Sequence, residues 1–222
     1  MHRLKIDFIS DVTCPWCMIG LRGLQEALER TSGLIQADLV FQPFELNPKM
    51  PAEGQVSLEH VAEKYGSSAE QVAAIGKQVS ARATEAGLAF NMTGQDRIYN
   101  TFDAHRLLHW ARTKNHQEAM KQALFKANFA DCANISDPEV LVSISSEVGL
   151  DVSEAKEILS SNRYAQDVRD AQRLWASRGI SSVPTIVIND KWMISGAQPV
   201  DVFEQTLRTI ISELTAVPDR YV

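Results

Sequence analysis

The chain has 222 residues, 45% of them hydrophobic and 23% charged, with a net charge of −6. This composition predicts one or two globular domains with a sizeable apolar core and argues against disorder. Nothing in the acidic balance suggests nucleic acid, which usually calls for a basic face, and no run approaches the ~18 consecutive apolar residues of a membrane span.

The opening MHRLKIDFIS lacks the ~7–15-residue apolar core of a signal peptide. The expected location is therefore the cytoplasm. Three cysteines in the whole chain do not make a disulfide scaffold. In a reducing compartment a Cys-x-x-Cys pair is more often catalytic or metal-binding than structural.

Residues 4–9, LKIDFI, read as a strand, followed by the loop DVTCPWC. Met18, Leu21, Leu24 and Leu28 then recur at helical spacing and predict a helix over residues 15–30, stopped near Gly33. Residues 38–44, DLVFQPF, give a second strand. Strand, helix and strand within this length make one βαβ unit.

After the Pro/Gly-rich connector PKMPAEG at 48–54, nearly everything to about residue 178 reads as helix. Ser67-x-x-Glu70 is a capping-box pattern opening one helix, which Gly87 closes. Further helices are expected over 100–113 and 116–130. Ser136-x-x-Glu139 with Pro138 in the first turn opens another, ending near Gly149, and Asp151-x-x-Glu154 a fifth. A last one runs over 163–178.

The texture then reverts. PTIVIND at 184–190 is an apolar strand, Asn189–Asp190 a turn, and KWMIS a short second strand. A final helix carries Val202, Phe203, Thr206, Leu207, Ile210, Ile211 and Leu214 at helical spacing. The order βαβ, helices, αββα predicts a single α/β domain, residues 1–50 plus 163–222, split by an all-helical insertion over 51–162. Independent helices after an N-terminal α/β domain would leave the C-terminal hairpin without a sheet.

The two cysteines of SDVTCPWCMIG, Cys14 and Cys17, fall at the junction of strand and helix. Pro15 suits the first helical position, which makes Cys14 the N-cap. A sulfur there faces unpaired N–H groups and the positive end of the helix dipole, so its pKa should fall below the ordinary ~8.5. Cys17, one turn further in, should be covered. Cys14 is then the nucleophile and Cys17 the resolving thiol. Trp16 between them offers a flat apolar surface for a substrate.

A structural zinc site needs four ligands, and only Cys132 and scattered histidines remain. His105 and His109 share a helix face, but Arg106 stands where an HExxH metal motif needs Glu. No metal is expected.

Ser182-Val183-Pro184-Thr185 precedes the apolar strand. Pro184 is either a strand-starting proline or a cis-proline loop that sets the backbone of Val183 beside the dithiol. The whole arrangement resembles the thioredoxin fold of the DsbA-like oxidoreductases. DVTCPWCMIG, PFELNP at 43–48 and NTFDAHRLLHWA at 100–111 resemble the FrnE-type branch of dithiol–disulfide isomerases. The resemblance implies Cys14 and Cys17 as the redox pair and Pro184 as the cis-proline. Pro15, Trp16 and Val183, beside the two cysteines and the proline, are the expected substrate contacts. The resemblance also implies Asn100, Thr101 and His105 on the insertion near the dithiol. An ordinary capped helix is the other reading of the last three.

Asp11 either tunes Cys14 or caps the loop, and Glu45 is a candidate proton acceptor for Cys17. Cys132, outside the shared pattern, reads as a free thiol that packs as a small hydrophobe. The expected function is thiol–disulfide exchange on protein, peptide or small-molecule thiols and disulfides. No cofactor is implied beyond the Cys14–Cys17 disulfide, with glutathione admitted as a co-substrate; the chain is expected as monomer or homodimer. The alternative is a glutathione-dependent enzyme of the kappa-class transferase or 2-hydroxychromene-2-carboxylate isomerase type, which shares the split architecture. Those enzymes carry a serine at the first cysteine position.

Overall fold

The structure is a computed structural model that describes residues 1–51 and 53–216. Ala52 of the expected connector and the last six residues of the expected C-terminal part lie outside the described residues.

Strand β1 (His2–Ser10) is central. It pairs in parallel with β2 (Ile35–Pro43), reached through helix α1 (Pro15–Arg30). On its other side it pairs antiparallel with β5 (Thr185–Ile188), which turns through Asn189 and Asp190 into β6 (Trp192–Ser195). The sheet order is β2-β1-β5-β6. Both turn residues have positive φ, +49° and +54°, a region that Asn and Asp tolerate better than most.

Alternation along β1 and β5 sorts the two faces of the sheet. Leu4, Ile6 and Phe8 of β1, with Ile186 and Ile188 of β5, pack against α1 and the C-terminal helix α9 (Val200–Ala216). Ile9 and Val187 face the other way, against Trp175 of α8 (Ala165–Ser177). Phe8 is fully buried, and truncating such a ring costs ~3–5 kcal/mol.

Between β2 and α8 come α2 (Ser57–Tyr65), α3 (Ala69–Glu85), α4 (Phe102–Thr113), α5 (Gln117–Phe129), α6 (Pro138–Glu147) and α7 (Val152–Ser160). α4 to α7 share a second core around Leu107, Trp110, Leu124, Leu141 and Ile158, and Val12 of the β1–α1 loop reaches into it. The dithiol loop therefore lies where the two cores meet. α5 is tied to the sheet by Gln117. Its amide accepts from Phe41 N–H at 3.1 Å and donates to Phe41 C=O at 2.9 Å, occupying the free edge of β2 as a strand would.

Three local expectations shift. The region read as continuous helix contains a small antiparallel pair, β3 (Gln55–Val56) and β4 (Arg97–Ile98). The capping box is Ser68 with Gln71, not Ser67 with Glu70. Ser67 N–H is taken by Ala62 C=O as α2 ends behind Gly66, whose φ is +63°, so Ser68 is the first residue free to cap. Likewise Asp137, not Ser136, caps α6 ahead of Pro138, accepting from Glu139 N–H at 2.8 Å. Ser136 turns its hydroxyl to Asn134 instead.

Candidate active site

Cys14 is the N-cap of α1, with φ −91° and ψ 109°, and Pro15 occupies the first helical position. The Cys14 carbonyl accepts from the N–H groups of Cys17 and Met18 at 3.0 and 3.3 Å, starting the helix. The Cys14 side chain makes no hydrogen bond to the first turn of α1, which holds no acidic residue, and as the N-cap residue Cys14 stands at the positive end of the helix dipole. Cys14 is 4% exposed and Cys17 fully buried, and both are free thiols.

The Val183–Pro184 peptide is cis, and Cys14 Sγ lies 3.9 Å from the Val183 carbonyl oxygen. Trp16 and Val183, each partly buried, pack on the same apolar cluster as the two cysteines. Gly20, one turn after Cys17, lets the proline loop come close: a Cβ there would sit 3.2 Å from Pro184 Cγ and 3.3 Å from Ala197 Cα.

Asp11 is fully buried and does two jobs. Its carbonyl accepts from Cys14 N–H at 3.2 Å. Its carboxylate accepts from Leu46 N–H at 2.7 Å and lies 3.3 Å from His105 Nε2, which is also 3.0 Å from Phe44 C=O. Burial alone would raise the Asp11 carboxyl. The His105 contact outweighs it, helped by Leu46 N–H and the Thr101 hydroxyl, and holds it below the ordinary carboxylate value. Thr101 and His105 are thus brought to the residue that leads into the dithiol. Asn100 is not: its side chain accepts from Phe102 N–H at 2.9 Å and supports the start of α4.

Glu45 Oε2 is held by Arg169 and by Gln172 of α8, the latter at 2.9 Å, while its buried Oε1 has no hydrogen-bond partner among the described residues. Cys132 does not pack as a small hydrophobe. It is exposed, with φ +51°, in the turn after α5, and burial together with the nearby Asp96 carboxylate pushes its thiol up. The His109 ring lies tilted against Tyr164, with ring centres 5.1 Å apart. Among the described residues no group of three or more His, Cys, Asp and Glu is placed to hold a metal ion.

Two lysines escaped the sequence reading. Lys121 of α5 is fully buried, and its Nζ has no hydrogen-bond partner among the described residues; it lies 4.6 Å from the Phe125 ring centre. Burial pushes it down to about 8, against the pull of Cys17, Asp11 and Cys14. In turn, burial first and then Cys14 push the Cys17 thiol well up, while the charge of Lys121 opposes them. Lys64 of α2 donates to Leu46 C=O and Asn47 Oδ1, each at 2.7 Å, and its charge is felt by Asp11 and Cys14. A signal for Lys121 was present: it stands i+4 from Gln117 and i−3 and i−4 from Leu124 and Phe125, on the stripe that α5 buries.

A dithiol at a helix N-terminus, faced by a proline loop across a split α/β sheet, defines a thioredoxin-fold protein with a helical insertion. The chain belongs to the DSBA-like thioredoxin domain family, which matches residues 5–208. The crystal structure of a probable DsbA oxidoreductase, SCO1869 from Streptomyces coelicolor, superposes with a TM-score of 0.90 at 33% identity, covering 99% of this chain and 94% of that one. The uncharacterized protein YwbO of Bacillus subtilis is 27% identical over 92% of this chain and 96% of its own length.

Two more distant structures share the fold. A 2-hydroxychromene-2-carboxylate isomerase has a TM-score of 0.69 at 16% identity, covering 97% of this chain and all of that one. The cytosolic disulfide reductase DsbM of Pseudomonas aeruginosa has 0.65 at 17%, covering 94% and 99%.

Proposed function

We propose that this chain is a thiol–disulfide oxidoreductase of the cytoplasm that exchanges disulfides through Cys14 and Cys17. The observation that carries the reading is the seat of Cys14: the N-cap residue of a helix with proline at its first position, its sulfur 3.9 Å from the Val183 carbonyl, with a second, fully buried thiol one turn below. The Cys14 thiolate attacks one sulfur of a substrate disulfide, forming a mixed disulfide and releasing the other sulfur as thiolate. Cys17, as thiolate, then attacks Cys14 Sγ, closing the Cys14–Cys17 disulfide and releasing the second substrate sulfur.

The backbone of Val183 and the surface of Trp16 are positioned to receive an extended peptide or a small disulfide, glutathione among them. Dithiol–disulfide isomerisation, the activity of the FrnE-type proteins that the chain resembles, uses the same first step and reverses it on another cysteine of the substrate. Apart from the Cys14–Cys17 pair itself, the reaction needs no cofactor.

The test is reduction of insulin by dithiothreitol, followed as turbidity, with wild type and Cys14→Ser. Wild type accelerates precipitation and Cys14→Ser does not; equal behaviour of the two would sink the reading. Recovery of activity from scrambled ribonuclease, present in wild type and lost in Cys14→Ser, tests the isomerase form. Glutathione conjugation that survived Cys14→Ser would move the assignment to the glutathione-dependent enzymes.

A further inference from the structure

The proposed exchange leaves one proton without a destination. Cys17 carries a thiol proton that must leave before its sulfur can attack Cys14, and no part of Cys17 touches solvent. The carboxylates nearby are each held by one oxygen: Asp11 Oδ2 by Leu46 N–H, with Oδ1 3.3 Å from the His105 ring, and Glu45 Oε2 by Arg169 and Gln172, while Asp11 Oδ1 and Glu45 Oε1 accept no hydrogen bond among the described residues. Lys121 of the insertion is a buried amine with an unpartnered nitrogen among the described residues, and its charge acts on the buried sulfur.

We infer that Lys121 is the proton acceptor for Cys17 when the mixed disulfide is resolved, and the proton donor to it when the Cys14–Cys17 disulfide is opened. The inference rests on the thiol–disulfide reading above. Its geometry is the fully buried amine on α5, its Nζ unpartnered among the described residues and 4.6 Å from the ring centre of Phe125, which packs in the same buried cluster as Cys14 and Cys17. An ammonium buried without a partner is a costly placement that methionine, with a similar length and no charge, avoids. A proton-transfer role gives that cost a use.

The groups facing Lys121 are few. α1 presents Cys17, with Cys14 at its N-cap, and the β1–α1 loop presents Asp11. A cavity of about 120 Å³ borders Lys121, with His105, His109 and Arg112 of α4 on its wall, while β2 contributes uncharged Phe41 and Gln42 and α8 contributes Ala171. Those polar walls give the proton a way onward from the amine. Burial lowers the basicity of Lys121 to about 8, so a usable fraction is neutral amine near neutral pH.

The step balances. Neutral Lys121 takes the proton from Cys17 S–H; the Cys17 thiolate attacks Cys14 Sγ; the Cys14–Cys17 bond forms as the bond from Cys14 to the substrate breaks; the substrate sulfur leaves as thiolate and Lys121 remains as ammonium. In the opposite direction, Cys17 leaves as thiolate and takes the proton back.

The experiment uses the full chain carrying Cys132→Ser, because Cys132 is an exposed free thiol. The reduced protein is mixed with 5,5′-dithiobis(2-nitrobenzoate) and release of the coloured thiolate is followed by stopped flow. The first equivalent reports attack by Cys14 and the second reports resolution by Cys17. Lys121→Met is expected to leave the first phase within about twofold and to slow the second at least about tenfold at pH 7. Lys121→Arg, which keeps the charge and does not release a proton, is expected to be as slow as Lys121→Met.

The wild-type second phase should rise with pH around 8 and lose that inflection in both variants. An unchanged second phase in Lys121→Met, or its restoration by Lys121→Arg, overturns the inference. If neither variant folds, a wild-type second phase without an inflection near 8 overturns it. A parental protein that releases fewer than two equivalents overturns the exchange reading itself; two equivalents with an unaffected variant overturn only the role of Lys121.

Discussion

The two parts of the molecule contribute different chemistry to one site. The thioredoxin part supplies the sulfurs, the proline loop and the helix N-terminus. The helical insertion supplies the cations and the imidazole: Lys64 on α2, His105 on α4 and Lys121 on α5, each acting on Asp11 or on one of the cysteines. Val12 crosses from the first part into the core of the second two residues before Cys14. The sheet and α1 make a dithiol; the insertion places charged and polar groups around it.

Mutations that separate the two contributions test this division. The largest effect is expected at Lys121. Burial lowers it from an ordinary 10.5 to about 8, which at ~1.4 kcal/mol per pH unit is a cost on the order of 3 kcal/mol. Below pH 8 the lysine is protonated both folded and unfolded and the full cost is present. Between about 8 and 10.5 the unfolded chain binds the extra proton, so stability rises with pH and the cost disappears. Lys121→Met is therefore expected to stabilise the protein at pH 7 and to lose that advantage by pH 10.5, read from urea denaturation at the two values. A variant no more stable than wild type at pH 7 would break the picture of a costly amine kept for chemistry.

Next comes Gly20→Val, which leaves the insertion alone and pushes branched methyls toward Pro184 and Ala197. Overpacking of this kind costs ~1–3 kcal/mol, and disulfide exchange should fall with it because the proline loop moves off Cys14. A variant as stable and as active as wild type would show that close approach at Gly20 is dispensable.

His105→Ala works from the insertion side. Asp11 is held below its ordinary 3.8, so its charged form stabilises the fold above that pH, and the contribution fades as pH falls toward the lowered value. Removing the ring should cost about 1–2 kcal/mol at pH 7, shrinking in acid as Asp11 takes a proton in both states. Denaturation at pH 7 and in acid reads this, and a penalty that did not change with pH would deny the pairing. The smallest effect is Ser68→Ala at the α3 cap, about 1 kcal/mol or less. It should appear as faster amide exchange in α3 with disulfide exchange unchanged.

The sequence carried the parts of this site that depend on local rules. Pro15 at the first helical position and an apolar stripe behind it were enough to place Cys14 at a helix N-terminus. Asp151 capped α7 as its spacing required, accepting from Glu154 N–H at 2.7 Å. Asn189–Asp190 made its hairpin.

What escaped depended on contacts between distant segments. Ser67 and Ser68 are equal as caps until Gly66 ends α2 and commits one of them. The two-residue strands β3 and β4 exist because they pair with each other. Glu45 is aimed by Arg169 and Gln172, far along the chain. Lys121 sits in a helix of mixed polarity, and docking of that helix through Gln117 onto β2 buries it. Cys132 shows the opposite: a residue type that is usually inside is turned out by a left-handed turn.

The sheet order also sets the sequence of events during synthesis. β1 lies between β2, made shortly after it, and β5, whose Thr185 pairs with Ile9. A nascent chain emerging from the ribosome displays the dithiol helix and then the whole insertion, whose core needs few residues from elsewhere. Throughout that interval β1 has one open edge, and the Val183 carbonyl that faces Cys14 has not been made. Contacts so far apart along the chain close late. The dithiol site is thus assembled only after the helices around it, and a growing polypeptide holds its two sulfurs without the carbonyl that faces Cys14 in the finished fold.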